Sequence, residues 1–248
     1  MFEKTTLVIP CYNEAERLDV DTFSQFVSAH PALRMIMVND GSTDATEQML
    51  QALAEAHAGI DAIQLDTNQG KAEAVRQGLL CAVDGGAQVT GYWDADLSTS
   101  LDELQRFAER FEESPGIHAV IGSRVKMLGR NIERRLTRHY CGRIFATCAS
   151  LALQLPIYDT QCGAKMFRVM PYTRALFDKP FMSRWLFDIE ILFRLKREIE
   201  AQGSTPDGVI YELPLQAWQD VAGSKLNVFD FVTAAWELAV IAMRYRSG

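Results

Sequence analysis

Short apolar runs and longer amphipathic stretches alternate along the first half of the chain. Residues 5–10, 34–38, 60–65, 88–93 and 118–122 are apolar-leaning and read as strands. Between them, residues 15–30, 45–57, 68–83 and 101–112 read as helices. Strands alternating with helices of this length predict parallel β-α-β units with right-handed crossovers. Each early strand empties into a polar loop rich in Asp, Asn or Gly. Those loops share one sheet edge, where an open α/β sheet places a nucleotide-sized crevice.

The fourth run ends in Tyr92-Trp93-Asp94-Ala95-Asp96. In extended chain, residues two apart point to the same side, so the Asp94 and Asp96 carboxylates repel each other unless a cation lies between them. Mg²⁺ and Mn²⁺ take oxygen ligands and keep positions open for substrate phosphates. The alternative is a loop of helix-capping acids, because residues 98–102 can open a helix. After the second strand, Gly41 relaxes the turn and Ser42 or Thr43 is placed to cap the next helix. Asp40 there either accepts hydrogen bonds from a base or ribose or serves only as a cap.

Composition narrows the classes. The chain has 248 residues, 48% hydrophobic and 23% charged, which predicts one large domain, or one with an appendage, around a sizeable core. A net charge of -7 argues against a general nucleic-acid partner. The 5 cysteines are scattered without CxxC spacing, which fits a reducing, cytoplasmic compartment better than a zinc or disulfide framework. No signal peptide is read at the start, and no apolar run reaches the roughly 18 residues of a spanning helix. The expectation is a soluble or peripherally membrane-bound protein. There is no GxGxxG after the first strand and no GxxxxGK[ST], so a dinucleotide oxidoreductase and a P-loop NTPase lose support.

Four motifs, Val8-Ile9-Pro10-Cys11-Tyr12-Asn13-Glu14, Val38-Asn39-Asp40-Gly41-Ser42-Thr43-Asp44, Asn68-Gln69-Gly70-Lys71 and Asp94-Ala95-Asp96, resemble in order and spacing the family 2 glycosyltransferases. Later segments, Asp159-Thr160-Gln161-Cys162-Gly163-Ala164-Lys165-Met166-Phe167, Arg184-Trp185-Leu186-Phe187-Asp188-Ile189-Glu190 and Gly223-Ser224-Lys225-Leu226, resemble the dolichyl-phosphate β-glucosyltransferase branch. The resemblance implies the GT-A (nucleotide-diphospho-sugar transferase) fold, an α/β architecture with a mostly parallel sheet flanked by helices. That domain would span residues 1–226, and residues 227–248 would add an amphipathic helical extension. It implies an inverting, Mg²⁺- or Mn²⁺-dependent transfer of a hexose, glucose first. The donor would be a nucleotide sugar of the UDP-glucose or GDP-mannose type and the acceptor a polyprenyl phosphate. Pro10, Tyr12 and Glu14 would line the nucleotide pocket, Asp40 would read base or ribose, and Lys71 would approach the nucleotide. Asp94 and Asp96 would hold the metal on the diphosphate, with Asp96 the more direct ligand. Arg124 would lie near sugar or acceptor. Asp159, ahead of Asp188, resembles a carboxylate that acts as base or positions the acceptor. The anchors and C-terminal membrane segments of many relatives are not found, and Leu97-Ser98 after the metal motif resembles the mannosyl branch as much as the glucosyl one.

The second half adds an acceptor side. Residues 126–143 hold Lys126, Arg130, Arg134, Arg135, Arg138 and Arg143, with His139 beside them. Arg134 and Arg138 share a helical face, as do Arg135 and His139. Residues 144–155 then turn almost wholly apolar, which suits a lipid with a phosphate head or an anionic membrane surface at the cytoplasmic face; a solvated helix leading into a core helix has the same pattern. Lys225 sits in a glycine-containing loop that reads either as a lid over the donor or as plain surface. Phe229, Val232, Trp236, Val240 and Met243 recur at helical steps and predict one apolar face, for the core or for a membrane or partner. Rival readings are transfer to a saccharide or protein hydroxyl, a non-catalytic nucleotide-sugar-binding module, and a nucleotidyltransferase. The last wants a glycine-rich phosphate loop that Cys11-Tyr12-Asn13-Glu14 does not supply.

Overall fold

A computed structural model describes residues 2–132, 136–219 and 228–246 of the chain. The chain runs β1 (Thr5–Cys11), α1 (Val20–Ala29), β2 (Leu33–Asn39), α2 (Thr46–Ala56), β3 (Ile60–Gln64), α3 (Lys71–Asp84), β4 (Val89–Trp93), α4 (Glu103–Glu113) and β5 (Ala119–Ser123). It continues with β6 (Asn131–Ile132), α5 (Leu136–Leu153), β7 (Ala164–Arg168), α6 (Thr173–Asp178), α7 (Phe187–Ala201), β8 (Ile210–Pro214), β9 (Ala217–Trp218) and α8 (Val228–Arg246). The predicted alternation holds as far as β5. Helix α1 starts later than the pattern suggests, because Asp19 accepts from Thr22 N–H and caps it there. Neither Ser42 nor Thr43 caps α2: its N-cap is Ala45, and the Asp44 carboxylate just before it takes the N–H and hydroxyl of Thr46.

Seven strands form one sheet in the order β3-β2-β1-β4-β7-β5-β8, and β6 pairs with β9 in a small second sheet. Strand β7 runs antiparallel to both β4 and β5, while the other ladders of the large sheet are parallel. The mostly parallel sheet is as expected, but the β-α-β alternation did not predict the antiparallel β7. β7 arises from a stretch with no strand-helix rhythm, and it enters between strands already separated in sequence.

Alternation along the strands splits the core into two layers. Leu7, Ile9, Met35, Met37, Trp93 and Met166 face one side, under α1, α2 and α4. Val8, Ile36, Val38, Tyr92 and Phe167 face the other, under α3, α6 and α7. Helix α7 is buried on both flanks, because α5 and α8 cover its outer side through Leu153, Leu192, Leu238 and Ile241. Of the face expected on α8, the Phe229 and Val232 side chains lie outside the described residues, and the alternative that packs it onto the core is corrected. Leu238, Ile241 and Ala242 are buried, whereas Trp236 is 69% and Met243 58% exposed. Both stripes fit helical spacing, and only the position of α7 selects one. No helix among the described residues is long and apolar enough to cross a membrane.

The Trp93 ring packs edge-on to Phe107 of α4 with centroids 5.1 Å apart, and its indole N–H donates to the Thr99 carbonyl. This contact pins the segment that follows β4. Phe107→Ala should cost about 3–5 kcal/mol of folding stability. Chemical denaturation measures it, and a loss below about 1 kcal/mol would show the contact to be dispensable.

Candidate functional site

The ends of β1 and β2 are joined side by side by their loops. Asn13 N–H donates to Ser42 Oγ at 2.9 Å, Glu14 N–H to Thr46 Oγ1 at 2.8 Å and Ala15 N–H to Asp44 at 3.1 Å. Thr43 N–H returns a bond to the Asn13 side chain at 2.9 Å. Asn13 itself holds a left-handed φ of 51°, which asparagine tolerates better than most residues. Gly41 has φ +63°, and a Cβ there would meet the Thr67 backbone at 2.5 Å, so the turn requires glycine on both counts. Pro10, Tyr12 and Glu14 therefore stand on one rigid rim, with Tyr12 exposed and Glu14 half-buried.

Asp40 is buried. Its two oxygens accept the N–H groups of Gln69 and Gly70, each at 2.8 Å. Gly70 caps α3, so a carboxylate there satisfies orphan donors and complements the helix dipole. Burial raises the Asp40 pKa, opposed by those two N–H groups and by the charge of Arg184. In this arrangement Asp40 organises the third loop and the start of α3, the capping alternative that the sequence leaves open beside a base or ribose contact. The Arg184 side chain lies against Gly70, where a Cβ would come within 3.1 Å of its Cδ.

Asp94 and Asp96 follow β4 and are both half-exposed, with buried Ala95 between them, as the two-residue spacing predicts. Leu97 adopts φ 51°, a left-handed turn uncommon for leucine, and Asp96 accepts Ser98 N–H at 3.0 Å. Lys71, at the start of α3, forms an ion pair with Asp94 and stands over the Phe187 ring at 5.9 Å. Desolvation lowers the Lys71 pKa, but Asp94, Asp188 and Asp96 raise it, and the carboxylates prevail. No group of three or more His, Cys, Asp or Glu side chains forms a cage among the described residues. Two half-exposed carboxylates fit an ion that completes its coordination on a ligand's phosphates.

Beside them lies a second charged cluster. Arg124, just past β5, donates from Nε and Nη2 to the two oxygens of Asp159 at 2.7 and 2.8 Å, and its own N–H adds a third bond. The Glu212 carboxylate of β8 accepts the N–H groups of Tyr158 and Asp159. Desolvation lowers the Arg124 pKa and Asp159 raises it, with the net shift upward, so Arg124 stays charged. Asp159 is thus committed to orienting Arg124, which disfavours proton abstraction. Asp188, the other base candidate, is buried against Lys165 and Tyr92. Arg143 donates to Tyr158 O and lies 3.5 Å over its ring, so it is spent on structure. Arg134, Arg135 and Lys225 lie outside the described residues, as does the Arg138 side chain. Cys162 is buried, which pushes its thiol up to about 11 and removes it as a nucleophile at neutral pH.

Sequence reasoning missed Lys165, Glu212 and the contact of Arg184 with the third loop. A lysine within Ala164-Lys165-Met166-Phe167 was the one available signal. Its partner is 23 residues away, and only the fold brings the two together.

Glu14 gives a pH test. Burial raises its pKa, Arg17 lowers it, and Asp96 and Asp44 raise it further, with the net shift upward. One of its oxygens, Oε2, is buried without a partner. The folded state therefore holds this proton more tightly than the unfolded chain. The linked stability is full below the ordinary carboxylate pKa and is lost as pH rises through the folded pKa. Glu14→Gln, neutral throughout, should gain Tm relative to the parent between about pH 4 and about pH 8. Calorimetry at both pH values checks it, and a constant difference would count against the raised pKa.

Residues 6–175 match the family described as Glycosyl transferase family 2. A dolichyl-phosphate beta-glucosyltransferase of Trichomonas vaginalis is 30% identical, covering 98% of this chain and 72% of that protein. One of Saccharomyces cerevisiae is 27% identical over 98% of this chain and 75% of its own length. The crystal structure of glucosyl-3-phosphoglycerate synthase from Mycobacterium tuberculosis with UDP superposes with a TM-score of 0.64 at 17% identity, covering 97% of this chain and 79% of that one. The same synthase with Mn²⁺, UDP-glucose and phosphoglyceric acid gives 0.65 at 16% identity, covering 97% and 79%. At such identity the likeness is one of fold, and the fold is GT-A. The sheet order, the paired acids past β4 and the matched residues agree: the chain belongs to glycosyl transferase family 2.

Proposed function

We propose that this glycosyltransferase moves glucose from a nucleotide sugar, UDP-glucose first, to a polyprenyl-phosphate acceptor, with inversion at the anomeric carbon. The observation that carries the reading is the meeting of two charge sets at one sheet edge. Asp94 and Asp96, with Lys71, stand at the rim built from the loops after β1, β2 and β3. The Arg124–Asp159 pair stands near enough for Asp94 to act on the charge of Arg124. The named activity of the Trichomonas and yeast relatives supports glucose and a dolichyl-phosphate class of acceptor.

The chemistry follows from the charges. Breaking the anomeric C–O bond leaves negative charge on the departing diphosphate. A divalent ion, Mg²⁺ or Mn²⁺, held by Asp94 and Asp96 would supply stabilisation of that charge. Mn²⁺ in the mycobacterial synthase supports the choice of a divalent ion. Lys71, paired with Asp94, would leave it for the diphosphate when the donor arrives. Pro10, Tyr12 and Glu14 line the nucleotide side. A phosphate acceptor is already anionic, so it needs orientation by Arg124 more than deprotonation. The engagement of Asp159 by Arg124 and the burial of Asp188 support that acceptor over a sugar hydroxyl, which needs a base within reach.

The acceptor's polyprenyl tail calls for a lipid surface. Ile144 and Leu151 of α5 and Trp236 and Met243 of α8 are exposed and apolar, which supports peripheral docking at a cytoplasmic membrane face. Arg134, Arg135 and Arg138 would add attraction for anionic headgroups there, and Lys225 would approach the donor; residues 1–226 would act as the catalytic domain with residues 227–248 appended.

The test uses radiolabelled UDP-glucose or GDP-mannose with Mn²⁺ and polyprenyl phosphate in liposomes, followed by organic extraction. Label from UDP-glucose should enter the lipid phase; label confined to water-soluble glycans would overturn the acceptor. Asp96→Asn should lower that transfer about 100-fold or more. Undiminished turnover would remove the metal-holding acids from the mechanism.

A further inference from the structure

Two oppositely charged side chains are buried directly behind Asp94, and the transfer chemistry uses neither. Lys165 is fully buried in β7 and lies opposite Tyr92 in the β4–β7 ladder. Its ammonium donates to the Cys162 carbonyl at 2.6 Å and to the Asp188 carboxylate. The Tyr92 hydroxyl donates to the same Asp188 oxygen. Asp188 sits in the first turn of α7, where the helix dipole favours negative charge. A buried pair of this kind is weak evidence for stability, because well-packed apolar residues often replace one at no loss. Its place in the fold points to another use.

The carbonyl that Lys165 grips belongs to the residue before Gly163. The Gly163 carbonyl in turn accepts Asp94 N–H at 3.0 Å. A Cβ built on Gly163 would overlap the Asp94 carboxylate, and the three nearest atoms are all Asp94 atoms. Gly163 does not occupy the left-handed region, so turn strain does not require glycine here. The missing side chain makes room for one carboxylate only. The same Asp188 also acts on the charge of Lys71, the ion-pair partner of Asp94, so the buried pair and the donor-side acids are electrostatically linked.

We propose that the Cys162–Gly163 turn, clamped by Lys165 and Asp188, is a platform that sets where the Asp94 carboxylate stands. Gly163 and Lys165 are positioning residues for binding of the metal–diphosphate donor. This rests on the reading of Asp94 as a donor-site acid.

The test measures UDP binding with and without Mn²⁺ by calorimetry, together with Tm and steady-state kinetics. Gly163→Ala should keep Tm within a few degrees of the parent and lower Mn²⁺-dependent UDP affinity about 10- to 100-fold. It should leave the KM for polyprenyl phosphate unchanged, a split that general loosening of the fold would not give. Any Tm loss from Gly163→Ala should vanish in an Asp94→Ala background, because the overlap is with that side chain alone. The double variant Lys165→Met/Asp188→Asn removes both buried charges, so it should fold and still lose Mn²⁺-dependent affinity. If Gly163→Ala does not fold, the double variant decides. Either folded variant binding Mn²⁺–UDP like the parent, while Asp94→Asn does not, overturns the platform and leaves the donor site standing. Normal binding by Asp94→Asn removes the donor-site reading and the platform with it.

Discussion

The antiparallel entry of β7 between β4 and β5 is the constraint on which the site depends. Pairing Trp93 with Ala164 brings the start of β7 to the end of β4. The segment that precedes β7 is thereby delivered beside Asp94, and with it come Asp159, Cys162 and Gly163. A parallel strand in that slot would present its other end there. The acids on β4 would then face only the nucleotide loops, and Arg124 would lack its partner.

Around this junction the polar groups are unusually committed. The segments after β1 and β2 are cross-linked by hydrogen bonds in both directions, and Asp40 holds the third loop through two backbone N–H groups. Arg124 is held by Asp159, whose segment is held by Glu212. Each bond fixes a backbone turn or a charged side chain that would otherwise be free. Asp94, Asp96, Glu14 and Arg124 stay partly exposed and Lys71 exposed, which suits them to a ligand. A rigid rim with few available charges suits transfer, because orientation is settled before the donor binds.

The far side of the molecule follows a different logic. Helix α7 is buried on both flanks, so it links the inner sheet layer to the outer pair α5 and α8. Ser183, just before α7, donates to Glu237 of α8 at 2.6 Å, and Tyr245 of α8 donates to Glu190 of α7 at 2.8 Å. Helix α8 is thus tied by polar bonds to the segment that carries Arg184, Phe187 and Asp188 toward the site, while Trp236 and Met243 point outward.

Much of this was legible in the sequence. The rhythm of β1 to β5, the loop edge, the paired acids and the motifs that mark the family are local signals, set by side-chain period, turn chemistry and spacing. The roles of Asp40, Asp159 and Asp188 were not legible, because a carboxylate's role depends on what reaches it. Arg124 and Glu212 stand 35 and 53 residues from Asp159, and Lys165 and Tyr92 stand 23 and 96 residues from Asp188. The buried face of α8 was equally hidden, since two stripes of one helix satisfy the same spacing. The sequence by itself determined the alternating architecture and the residues able to do the chemistry. Only the tertiary structure decided which charges pair, which are buried and which stay open, because pairing and desolvation are properties of neighbours distant in the chain.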